Sequence, residues 1–71
     1  MEIDIFFAYS FTNITSPIYK INGQGDSASV DQSSETNVKS MYSSGWKLAH
    51  AIKTSQSAQF ESFNFLLIFE K

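Results

Sequence analysis

Val38-Lys39-Ser40-Met41-Tyr42-Ser43-Ser44-Gly45-Trp46-Lys47-Leu48-Ala49-His50-Ala51-Ile52 is the stretch on which the fold turns, because its hydrophobic period changes inside it. Before Gly45, Val38, Met41 and Tyr42 recur at i, i+3 and i+4, which places them on one face of a helix. After Gly45, Trp46, Leu48, His50 and Ile52 alternate with Lys47, Ala49, Ala51 and Lys53, the period of a strand. Glycine just past a helix reaches the left-handed backbone that ends it. Ser33 and Ser34 read as N-cap candidates, and the charge of Glu35 suits a first turn. The spacing therefore predicts a helix over Glu35–Ser44 and a strand from Trp46. Gly45 and Trp46 are structural candidates: the glycine stops the helix, and the indole is the largest core anchor available.

Outward from this junction, Glu2–Thr12 alternates strictly. Ile3, Ile5, Phe7, Tyr9 and Phe11 share one face, and Glu2, Asp4, Phe6, Ala8, Ser10 and Thr12 share the other. This is a strand, and the first set is its expected buried face. Phe60–Phe69 is the closing strand, with Phe63, Phe65, Leu67 and Phe69 on one face and Leu66 and Ile68 on the other. Apolar side chains on both faces place a strand in the interior of a sheet. Thr54–Gln59 joins the last two strands as a polar loop. Thr12–Ser34 reads as one long polar connection, with room for a short edge strand at Ile18–Ile21 between Pro17 and Asn22-Gly23.

The expected fold is thus α+β, a single domain over residues 1–71. Its mostly antiparallel sheet has three strands, or four with the short edge strand, in the order β-(β)-α-β-β, and one helix packs on one face. The helical connection sets the first strand parallel to the Trp46 strand with the last strand between them, a split βαβ arrangement. One helix covers one face. Phe6, Ala8, Ala49, Ala51, Leu66 and Ile68 are left on the other, and an apolar set of that kind is an expected interface. A homodimer through the sheets is the leading expectation for a partner, and the 12–34 loop is the expected surface for a further protein.

Composition narrows the function classes. The 71 residues include eleven aromatics, no cysteine and a net charge of −2. Aromatic richness with 17% charge is globular in character. Without cysteine there is neither a disulfide nor a thiolate metal site. All five cations are lysine; the absence of arginine argues against nucleic-acid binding. No apolar run exceeds the five residues of Phe65–Phe69, far short of a membrane span. Met1-Glu2-Ile3-Asp4 does not read as a signal peptide, so no membrane is expected as a partner and the cytoplasm is the expected compartment. The Asn13-Ile14-Thr15 triplet fits a glycosylation acceptor, but in that compartment it is read as chance.

The other candidate patterns lack the spacing their chemistry needs. His50, the single histidine, has no spacing to any particular serine that would mark a nucleophile–base pair. Asp26, Asp31 and Glu35 lack the recurrence of a calcium loop. Gly23-Gln24-Gly25 lacks the third glycine of a phosphate loop. No enzyme activity, cofactor or metal is expected. The alternative to an interaction protein is a small-ligand pocket between sheet and loop, lined by Tyr9, Tyr19, Trp46 and His50.

The run Tyr42-Ser43-Ser44-Gly45-Trp46-Lys47-Leu48, followed by a strand, a polar loop and Leu67-Ile68-Phe69-Glu70-Lys71, resembles a family of small bacterial and phage proteins known as domain of unknown function 4177. The resemblance covers Met1–Phe11 loosely and Val38–Lys71 more closely. It implies a strand, a helix ending in Gly-Trp and two closing strands, with no activity, cofactor or catalytic residue to carry over. The Thr12–Ser34 stretch is longer than that pattern.

Overall fold

The computed structural model describes residues 1–23, 29–53 and 64–71. Five strands and one helix follow in the order β1 Ile3–Ala8, β2 Ile18–Asn22, β3 Ser29–Thr36, α1 Val38–Ser43, β4 Lys47–Lys53 and β5 Phe65–Glu70. The strands form one antiparallel sheet in the order β3-β2-β1-β5-β4. This overturns the expected three- or four-stranded sheet: Thr12–Ser34 is no long loop, but holds β2 and most of β3. β1, β2 and β3 form a meander, and α1 carries the chain from one edge of the sheet to the other. β5 then lies between β1 and β4, bonded to both.

β3 escaped a reading based on hydrophobic period because Ser-Val-Asp-Gln-Ser-Ser-Glu-Thr has only one large apolar residue. Its strand character comes from the backbone ladder to β2, with Ile21 opposite Val30 and Asn22 opposite Ser29. The register shifts between Ile18 and Lys20, and there a side chain repairs the ladder. The Ser34 hydroxyl accepts from Lys20 N at 2.7 Å and donates to Asp31 O at 2.6 Å. Ser33 and Ser34 are thus strand residues rather than helix caps.

The helix is correspondingly short. Its N-cap is Asn37, whose Oδ1 accepts from Ser40 N at 2.8 Å, the bond that satisfies an otherwise orphaned first-turn donor. Its C-terminus is a Schellman motif. Gly45 N donates to Tyr42 O and Trp46 N to Met41 O, each at 3.0 Å. Gly45 has φ +91°, a conformation that costs a residue with a Cβ about 1–2 kcal/mol. Trp46 leaves this turn half-buried against the core, with the Lys71 ammonium 5.3 Å from its ring centroid.

The core lies between α1 and one face of the sheet: Phe6, Ala8, Ile18, Val38, Met41, Leu67 and Phe69. Phe6 and Phe69 meet edge to face at 5.7 Å, the geometry that the ring quadrupole favours. Thr12–Ser16 closes the β1–β2 connection over the rim. The buried Ser16 hydroxyl accepts from Thr12 N and Asn13 N, at 3.0 and 3.2 Å. Asn13 Oδ1 accepts from Thr15 N at 2.8 Å and from the Thr15 hydroxyl, so Asn13 and Thr15 hold a turn.

Candidate functional site

The cross-strand registers settle which residues share a face. Phe6 pairs with Leu67, Asp4 with Phe69 and Ala8 with Phe65, and these point toward the helix. Ile3 opposite Glu70, Ile5 opposite Ile68 and Phe7 opposite Leu66 point away from it. The face of β1 expected to be buried, with Ile3 and Ile5, is therefore the one the helix does not cover. Ile3 is 54% exposed and Ile5 44%, whereas Phe6 and Ala8 are 4% and 0%. Both faces of β1 are apolar, and alternation alone cannot say which of them a helix will choose.

A bulge in β4 makes the second correction. Leu48 pairs with Phe69, but His50 pairs with Ile68, so Ala49 is an extra residue and the alternation reverses across it. Leu48 packs on the core, while His50 and Ile52 face the opposite way. Trp46, Leu48, His50 and Ile52 do not share a face after all. The six residues expected as an interface are divided too. Phe6 and Ala8 are in the core; Ala49 is at the bulge; Ala51, opposite Leu67, is exposed on the helix side; Leu66 and Ile68 are half-buried on the far face.

What the structure does bring together is a set of rows across the face away from α1: Ile5–Ile68–His50, Leu66–Ile52 beside Phe7, and Ile3–Glu70–Lys47. Ile3, Ile5 and Ile52 are its exposed large apolar side chains. Toward β2, Tyr19 pairs with Phe7 and meets Tyr9 at a centroid distance of 6.0 Å. The Tyr19 hydroxyl donates to Glu35 Oε1 at 3.2 Å. Desolvation, then that hydrogen bond to the carboxylate, and then the nearby negative charge hold the Tyr19 phenol above tyrosine's ordinary value.

The other candidates do not assemble. Tyr9 and Tyr19 lie on β1–β2, whereas Trp46 packs on the helix side and His50 stands exposed on β4, so the four do not line one pocket. His50 faces Ile68 rather than a serine. Asp31 Oδ1 accepts from Ser33 N and its hydroxyl, Glu35 accepts from Tyr19, and Asp26 lies outside the described residues. Among the described residues, no three His, Asp or Glu side chains are grouped to hold a metal. Gln24, Gly25, Thr54–Gln59 and 60–63 also fall outside them. One shallow hollow of about 280 Å³ is lined by Met1, Gly45, Lys47, Glu70 and Lys71, with no nucleophile–base pair in it. No described helix is long and apolar enough to cross a membrane. No family model, curated protein or solved structure matches the chain.

Proposed function

We propose that the chain is a small non-enzymatic interaction protein acting as a homodimer, two copies meeting through the sheet face opposite α1. One observation carries this reading: Ile3, Ile5 and Ile52 are exposed on the face that also holds Leu66 and Ile68. Removing apolar surface from water stabilises by about 25 cal/mol per Å², and grouped exposed apolar side chains mark contact surfaces. The core has only seven buried hydrophobic residues among those described, and the chain has no cysteine. Association is the staple left to such a small domain.

The dimensions fit a second copy. Five strands about 4.8 Å apart, each about six residues long at ~3.3 Å per residue, present a face of about 480 Å². Two such faces in contact remove about 1,000 Å² from water, the lower bound of a specific interface. The dimer is therefore a dissociating one, and a two-fold axis lets the same patch serve both copies. Sedimentation equilibrium from micromolar to millimolar chain tests this. The native mass rises toward twice that of the chain, while Ile5→Glu and Ile52→Glu stay monomeric with unchanged circular dichroism. A native chain that remains monomeric throughout ends the reading.

A further inference from the structure

The sheet has two edge strands, β3 and β4, and they are finished differently. On β3, Asp31 Oδ1 accepts from Ser33 N at 3.0 Å and the Ser34 hydroxyl donates to Asp31 O at 2.6 Å. The strand satisfies part of its own backbone there, and it carries Asp31 and Glu35 without a cation. On β4, no side chain among the described residues bonds to the backbone, and most of the strand is exposed. An edge of this kind presents unpaired N–H and C=O groups, a template for an added strand.

Charge decides which strand it takes. Lys47 and Lys53 bracket β4 at its two ends. Among the described residues the single ion pair joins Lys20 to Asp4, so both bracketing lysines are unpaired. Lys71 adds a third cation beside Trp46, at the start of β4. Glu70, opposite Lys47, is the one anion on the neighbouring strand, and Lys39 is the one charge on the helix. Lys47 stands with Glu70 and Ile3 on the face away from α1, and Lys53 with Phe65 on the helix side, so one cation flanks the edge on each face. A second β4 would bring the same cations and no anion of its own to this edge, whereas an acidic strand brings the complementary charge.

We propose that β4 accepts an extended acidic segment along its outer edge, with a carboxylate toward each lysine. The hydrogen-bonding edge is distinct from the face-to-face contact, to which Lys47 also belongs by its register. Its test uses two labelled synthetic peptides with the same Thr/Val interior, one with Glu at both ends and one with Lys. The acidic peptide binds more tightly by roughly tenfold, about 1.4 kcal/mol, and weakens as salt screens the exposed charges. It slows amide hydrogen exchange along Lys47–Lys53. The double variant Lys47→Glu/Lys53→Glu, with unchanged circular dichroism, reverses the preference, and Ile5→Glu retains it whatever its oligomeric state. Equal binding of both peptides, binding of neither, protection on β3 instead, or β4 protection that appears with chain concentration alone overturns the proposal.

Discussion

The two faces of the sheet are built from similar side chains and meet opposite environments. On the helix side, Phe6, Leu67 and Phe69 are sealed beneath Val38 and Met41; on the far side, Ile3, Ile5 and Ile52 face outward. Hydrophobicity does not separate them, for the far face carries the longer run of large apolar residues on β1. What separates them is where the helix is delivered. The Asn37 cap and the Gly45 stop fix a short rod whose Val38 and Met41 reach one side only. A covered face yields stability within one copy. An uncovered face of the same chemistry stays exposed to solvent.

Three measurements sharpen or break that contrast. The largest effect belongs to the covered face. Phe69→Ala empties a fully buried site beside Phe6 and should cost about 3–5 kcal/mol in urea unfolding, much of a small domain's stability. Ile5→Ala, at an exposed site on the other face, should cost far less at dilutions where the chain is monomeric. Equal losses would show that the faces are not different in kind.

The next effect concerns the covering element itself. Gly45→Ala leaves an ordinary 3.5 Å contact with Lys71 Cε but must hold φ near +91°. A loss of about 1–2 kcal/mol is expected from that backbone strain, with hydrogen exchange accelerating in α1 before it does in β1. A neutral substitution would mean that the helix stop does not secure the cover.

The smallest effect lies on the uncovered side. The folded chain holds the Tyr19 proton more tightly than the unfolded chain does. The stabilisation is therefore complete below tyrosine's ordinary value and is lost as pH rises through that value toward the higher folded one. The phenol is largely solvated, so solvent screening keeps the effect small. Tyr19→Phe should flatten the alkaline limb of a stability–pH curve; an unchanged limb would remove the Tyr19–Glu35 contact from the account.

The sequence made some elements plain and others not. The switch of period at Gly45 marked the helix end and the following strand, because a left-handed glycine and a change from 3.6 to 2 are local signals. The doubled apolar character of the last strand pointed to an interior position, and β5 has neighbours on both sides. β3 was hidden because an edge strand held by its backbone needs little apolar alternation. The face of Phe6 and Ala8 was misassigned because β1 is apolar on both sides. The reversal at Ala49 was invisible because a bulge is one extra residue with no composition of its own. Each miss depends on how strands pair and pack, which the pattern of a single segment does not carry. The candidate site was legible only as the idea of a leftover face; of the six residues first assigned to it, Leu66 and Ile68 lie on the exposed side.

The position of β5 has a kinetic consequence. Ile3 pairs with Glu70, and the same strand must also receive Lys47–Lys53. The middle of the sheet is thus assembled from segments at nearly the greatest separation the sequence allows. Their closure entropy must be met before the contacts repay it. Until β5 inserts, β1 and β4 each lack a neighbour, and the β1–β2–β3 meander is the largest piece of sheet that can form from adjacent segments. The chain should accordingly refold on the millisecond-to-second scale of non-local β topologies rather than at the pace of helical domains. During that interval its β1 edge is open to other chains.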